Sequence, residues 1–262
     1  MLRQRILTAL LGIPLIILIS YFGGYVLLFS VIIISLLSLD ELYRALKNTE
    51  VQFSKFLGFL GAVLFILNSH YFGAGKVAET LLLVVLLNLF YYVISFPRIK
   101  PSGVGLTLFS SIYIGFLLSF AILLRNMEEG FLFLMFAFIL TWATDSGAYI
   151  IGLLLGRHKL HSTLSPKKTI EGSVGGILFP VMASIIFSFF IPQDLNIFKF
   201  VVLGILVGIL GQLGDLTASA FKRHANLKDF GSILPGHGGF LDRFDSFLVI
   251  VPLVYYYIAY IC

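Results

Sequence analysis

The chain has 262 residues, 59% of them hydrophobic and 12% charged, and its mean hydropathy is +1.01. Soluble domains carry about 25% charged residues, so composition excludes a soluble protein and points to an all-α, polytopic integral membrane helix bundle. The formal net charge of +5 reads as basic loops beside a bilayer rather than as nucleic-acid binding, and the single cysteine, Cys262, excludes an intrachain disulfide.

The N-terminal stretch MLRQRILTALLGIPLIILIS has the basic start and apolar run of a secretory signal. No small-x-small cleavage site follows, so it reads as a retained first span. A crossing needs about 20 apolar residues, and about nine spans are expected, near 6–22, 24–40, 56–74, 77–96, 104–124, 131–155, 172–192, 199–221 and 244–261. Only Gly23 and Gly24 separate the first two. Apolar segments run the whole length and leave no room for a soluble domain. One polytopic domain over 1–262 is therefore expected, with scaffold spans in 1–130 and the catalytic spans and cytoplasmic loops in 131–262.

A cytoplasmic N-terminus puts all 18 Lys and Arg on the cytoplasmic side except Lys76, Arg125 and Lys199. The positive-inside rule favours that orientation and an odd number of spans. The polar loops 156–171 and 222–243 then face the cytoplasm, where nucleotides are available. Glycine is frequent, 25 residues, and pairs such as Gly175 with Gly176 and Gly204 with Gly208 are expected to serve close helix packing.

Polar residues gather in the second half. In TWATDSGAY, Asp145 falls well inside the sixth span, and an ionisable residue there marks a functional site by default. A metal ligand and a nucleotide contact both remain open for it. In GRHKLHSTLSPKKTIEG, Lys167 and Lys168 suit either a topology signal or an anion site. Ser165-Pro166 reads as a helix start that would aim backbone N–H groups at an anion. In the eighth span Asp215, Ser219 and Lys222 stand at i, i+4, i+7 and share a helix face. One ion pair between helices would explain Asp215 and Lys222, but Arg223, Lys228 and Asp229 follow at once. The stretch GSILPGHGG suits a tight turn presenting N–H groups to an anion, with His237 either donating to a phosphate or capping the turn. Asp242 and Asp245, flanking Arg243, are i, i+3 and face one way if helical. One such acid could be an N-terminal helix charge with Arg243 as its mate. Two, with a third on the preceding helix, offer the hard oxygen ligands that suit Mg²⁺.

The pattern S-x-F-K-R-x₄-K-D-x-G-x₂-L-P-x-H-G-G-x₂-D-R-x-D, from Ser219 to Asp245, closely resembles the signature of phosphatidate cytidylyltransferase, also called CDP-diacylglycerol synthase. WATDSGAY (142–149) and SPKKTIEG (165–172) also resemble that family and come in its order. The likeness covers the C-terminal half, and spans one to five agree only in being hydrophobic. Ala218 stands where relatives often have Glu, which puts only an accessory role in doubt.

The resemblance implies that CTP and phosphatidate give CDP-diacylglycerol and pyrophosphate, with Mg²⁺ as cofactor and a second metal or a monovalent cation as an open addition. It implies a multi-pass protein of the inner (plasma) membrane with its active site on the cytoplasmic side. CTP, phosphatidate and the lipid bilayer are the implied partners, nucleic acid is not, and a homodimer is left open. Implied catalytic residues are Asp215, Lys222, Arg223, Asp242 and Asp245. Asp145, Asp215, Asp242 and Asp245 are the metal candidates, and Lys167, Lys168, Ser219, Lys228, His237 and Arg243 the substrate and phosphate contacts. The rival readings are a transporter or channel for an anionic solute and a CTP-consuming polyprenol kinase. The Asp-x-x-Asp-Gly pattern of alcohol phosphotransferases is absent.

Overall fold

The computed structural model describes residues 2–47, 51–190, 196–233 and 238–261, with side chains from residue 10 onward. Among these residues nine helical rods and one small hairpin make up the chain. The rods are α1 (Leu2–Phe22), α2 (Gly24–Leu46), α3 (Lys55–Tyr71), α4 (Val77–Ile94), α5 (Pro101–Arg125), α6 (Gly130–Leu155), α7 (Ile170–Ser188), α8 (Ile197–His224) and α9 (Leu241–Tyr260). Each falls on one of the expected spans. Six of them, α2 and α4 through α8, are long and apolar enough to cross a membrane, against the nine expected from hydropathy. The difference has local causes: α3 has 17 residues, and α9 opens on Asp242, Arg243 and Asp245. Exposed apolar side chains such as Phe90 and Val93 of α4 and Leu153 and Leu154 of α6 cover outer faces, while Asn68, Asn88 and Ser119 are buried. That distribution suits a surface facing lipid.

The chain divides into two compact units. The first comprises Met1–Phe131 with His224–Arg243. Within it α3 packs against α2, α4 and α5, and small residues set the approach. A Cβ at Gly58 would lie 1.7 Å from Tyr43 Oη, and one at Gly115 would lie 2.3 Å from Ala62 Cα. Tyr43 is fully buried and shares a 2.5 Å hydrogen bond with Ser110, which offsets the cost of removing a hydroxyl from water. Ser69 Oγ donates to Ser119 Oγ at 3.0 Å. The break between α1 and α2 is Gly23, at φ 60, a left-handed conformation that glycine adopts without a Cβ clash. Arg125 Nε donates to Ser20 O at 2.6 Å and Arg125 Nη2 to Tyr21 O at 2.9 Å, so a cation satisfies the last carbonyls of α1.

The second unit comprises Leu132–Arg223 with Phe244–Cys262. Here helices meet through bare backbone. A Cβ at Gly147 would lie 2.4 Å from Gly175 O, one at Gly204 2.5 Å from Val181 Cα, and one at Gly208 2.6 Å from Ile177 Cα. The glycine pairs thus serve packing, as expected of small residues between membrane helices. Phe136 stacks on Phe187 and Phe138 on Phe247, with ring centroids 3.8 Å and 4.2 Å apart.

Two sequence expectations are refined. Helix α6 runs unbroken past Asp145. The 156–171 loop holds an antiparallel hairpin, β1 (Lys159–His161) and β2 (Ser165–Thr169), so Ser165-Pro166 does not start a helix. A two-stranded hairpin leaves an outer edge where the missing Pro166 N–H is tolerated. The start of α7 is set instead by Thr169, whose Oγ1 accepts from Gly172 N at 3.1 Å. Glu171, in the first turn, accepts from Arg157 N at 3.0 Å and His158 N at 3.2 Å, and its Oε1 meets His158 Nδ1 at 2.6 Å. The entry to the hairpin is thereby tied to α7.

Candidate active site

Helix α8 carries the polar ladder expected from its spacing. Ser219 Oγ donates to Asp215 Oδ1 at 3.5 Å. Lys168, on β2, forms an ion pair with Asp215 Oδ2 at 2.5 Å. Its neighbour Lys167 is exposed, because successive strand residues point to opposite faces. Arg223 Nε donates to Leu164 O at 3.2 Å. Two cationic side chains thus tie the hairpin to the end of α8.

Asp245, on α9, is buried at 8% relative exposure. Its Oδ1 accepts from Ser246 N at 2.7 Å. Its backbone carbonyl sits against α8, where a Cβ at Gly214 would come within 2.6 Å of it, so Gly214 lets the acid-bearing turn approach. Asp215, Asp145 and Lys222 are all close enough for their charges to act on Asp245. Asp215 of α8, half-buried and paired with Lys168, and Asp145 of α6, exposed, thus act on the buried Asp245 of α9 from two other helices. Their donors are hard oxygens, which suits Mg²⁺ over softer ions. Among the described residues no group of three or more His, Cys, Asp or Glu stands close enough together to hold a metal ion, so the protein offers at most one or two carboxylates to an ion that substrate phosphates would complete.

The remaining predicted residues are placed differently. Asp242 belongs to the first unit, where it is buried and ties a loop. Its Oδ2 accepts from Phe230 N at 2.9 Å and Gly239 N at 3.0 Å. Between these amides Gly238 takes φ +86, open to glycine and strained for other residues. Lys228 and Arg243 are exposed. His237, with Pro235 and Gly236, lies outside the described residues.

One acid escaped the sequence reading. Glu41, on α2, is 1% exposed. Its Oε1 accepts from Phe240 N at 3.0 Å and its Oε2 from Leu241 N at 2.9 Å, so it caps α9 from 200 residues away in sequence. The second span was expected to end at residue 40, and α2 continues to Leu46. An acid inside the helix was thereby counted as part of a loop. The signal available was two adjacent acids, Asp40 and Glu41, within one turn of a single arginine, Arg44, which pairs with Asp40.

The model of the cytidylyltransferase family matches residues 3–261. The chain belongs to the cytidylyltransferase family. A phosphatidate cytidylyltransferase of Staphylococcus epidermidis is 36% identical over 257 residues, covering 96% of this chain and 97% of that protein. The phosphatidate cytidylyltransferase of Staphylococcus haemolyticus is 36% identical with the same coverage, and that of Staphylococcus aureus strain COL is 34% identical, again over 96% and 97%. Family likeness therefore extends through the first five helices, where hydropathy was the sole similarity noticed. With its six long apolar helices, this member of the cytidylyltransferase family is a multi-pass membrane protein.

Proposed function

We propose that the chain transfers the cytidylyl group of CTP to phosphatidate, giving CDP-diacylglycerol and pyrophosphate. The observation that carries this reading is the Asp215–Lys168 ion pair beside the buried Asp245, on which Asp145 and Lys222 also act, in a chain whose relatives along nearly its full length are phosphatidate cytidylyltransferases. A phosphate oxygen of phosphatidate attacks the α-phosphorus of CTP. The new P–O bond forms as the α–β P–O bond breaks, and pyrophosphate takes the bonding pair. The nucleophile is already anionic, so no general base is needed. The obstacle is repulsion between two anions, and preorganised positive charge lowers it.

Lys168, Lys222 and Arg223 supply fixed positive charge to the phosphates. The Asp215–Lys168 pair holds Lys168 in place before substrate arrives. Ser219 orients Asp215, and Lys167, Lys228, Arg243 and His237 are the outer phosphate contacts. Mg²⁺ would be held by one or two carboxylates, Asp245 with Asp215 or Asp145, together with phosphate oxygens of the substrate, and would supply charge neutralisation of the triphosphate. Asp242, one turn earlier on α9, serves the loop instead, since its Oδ2 accepts from Phe230 N and Gly239 N. We further propose nine crossings with a cytoplasmic N-terminus, supported by the basic-residue asymmetry. The site then lies on the cytoplasmic side of the plasma membrane, within a single functional domain whose scaffold is 1–130.

The test uses purified full-length protein with phosphatidate, Mg²⁺ and CTP labelled either in the cytidine ring or at the γ-phosphate. Ring label entering lipid, with γ-label leaving as pyrophosphate, is the expected result. Entry of γ-label into lipid would make the protein a CTP-dependent kinase. Solute flux in proteoliposomes without CTP consumption would make it a transporter.

A further inference from the structure

Two glycines of the Ser219–Asp245 signature have a role beyond turn formation. Gly231 and Gly239 do not carry a positive φ, so backbone strain does not require glycine at either. What each lacks is room. A Cβ at Gly231 would lie 2.6 Å from Glu41 Oε1, and one at Gly239 would lie 2.3 Å from Glu41 Oε2. At both positions the three nearest atoms all belong to the Glu41 side chain. The two glycines form a socket, and a carboxylate from α2 fills it.

Within that socket Glu41 accepts from Phe240 N and Leu241 N, two of the N–H groups that the first turn of a helix leaves unpaired. Local caps normally come from the residue just before a helix. The residue before α9 is Phe240, whose side chain has no acceptor. Asp242 takes the next amide back, Gly239 N, along with Phe230 N. Glu41 and Asp242 thus hold four backbone amides of the signature loop between them.

Resting on the cytidylyltransferase reading above, we propose that Glu41 is a positioning residue for cytidylyl transfer: seated between Gly231 and Gly239, it fixes the first turn of α9 and the residues 238–240 that lead into it. It acts on the reaction through the backbone of 238–243 and touches no substrate. A hydrogen-bonded carboxylate contributes about twice what a neutral acceptor does, so charge and shape both count here.

The test measures full-length Glu41→Ala, Glu41→Gln and Gly231→Ala, together with the double variant, in detergent. Two readouts are taken: steady-state CDP-diacylglycerol formation, and amide hydrogen exchange of the segment 238–243. Glu41→Ala is expected to lower kcat by about 10- to 100-fold, with KM for CTP within about threefold, and to raise exchange at 240 and 241. Glu41→Gln keeps an acceptor for one of the two amides and sets a donor against the other, so it is expected to lose less rate than Glu41→Ala and to raise exchange at 240 or 241 but not at both. Gly231→Ala alone is expected to lower kcat, and to add nothing once Glu41 is Ala, because the clash then has no partner. If Glu41→Ala does not fold, the Gly231→Ala and Glu41→Gln pair decides by the same two readouts. A kcat within twofold of the wild type, or a loss of rate with unchanged exchange at 238–243, overturns the proposal. Wild-type protein that makes no CDP-diacylglycerol sinks the functional reading instead, and exchange alone then decides whether Glu41 holds the loop.

Discussion

Two groups of acids stand out among the described residues, and their partners differ in kind. Glu41 and Asp242, in the first unit, face backbone amides. In the second, Asp215 pairs with Lys168, and the charges of Asp215, exposed Asp145 and Lys222 all act on buried Asp245. An acid surrounded by N–H groups has its charge answered by the fold itself and serves structure. Acids gathered against like charge are costly to hold together, and their grouping is understood when a cation and an anionic substrate complete it. The signature thus mixes two tasks in one short stretch, and Asp242 and Asp245, one turn apart on α9, fall on opposite sides of the division.

That division can be broken by substitution. The largest effect is expected at Asp245→Asn, which should lower CDP-diacylglycerol formation by about 10³-fold or more while leaving folded, membrane-inserted protein. A rate near that of the wild type would remove Asp245 from the site. Chelation of divalent cations should stop turnover to a similar extent and reversibly, whereas activity persisting in excess chelator would refute the Mg²⁺ proposal. Next comes Lys168→Met, expected to cost about 100-fold in kcat/KM for CTP. A loss confined to thermal stability would make the Asp215 pair purely structural. Asp242 sharpens the comparison most. Asp242→Asn keeps an oxygen for Phe230 N and Gly239 N, so a loss of about 10-fold is expected, less than at Asp245. Equal losses at both positions would place Asp242 with the chemical acids. The smallest effect is expected at exposed Lys228, where Lys228→Ala should raise KM for CTP by about threefold and leave kcat unchanged.

Packing gives a parallel contrast. In the first unit Tyr43 Oη occupies the space above Gly58, and Gly58→Ala should destabilise by about 1–3 kcal/mol through overpacking. A thermal-unfolding series checks this, since the cost should largely vanish in a Tyr43→Phe background. An undiminished cost there would locate the clash elsewhere.

Much of the molecule was legible in its residues. Hydropathy located the nine helical rods among the described residues, six of them long and apolar enough to cross a bilayer, because a bilayer requires long apolar helices with internally satisfied backbones. The i, i+4, i+7 spacing put Asp215, Ser219 and Lys222 on one face, and the hydrogen bond between Ser219 and Asp215 agrees with it. Local signals misled at Ser165-Pro166, where a proline that could open a helix lies in a hairpin edge, and capping falls to Thr169.

What the sequence determined by itself is what depends on neighbours along the chain: helical spans, a polar face on α8, and the signature with its family. Tertiary structure alone decided which acid meets which partner. Lys168 reaches Asp215 across the hairpin, and Glu41 enters a socket lined by Gly231 and Gly239 nearly 200 residues later. Hydrogen bonds and Coulomb forces act through space over a few ångströms, and no spacing rule records which distant segment folding will bring within that reach.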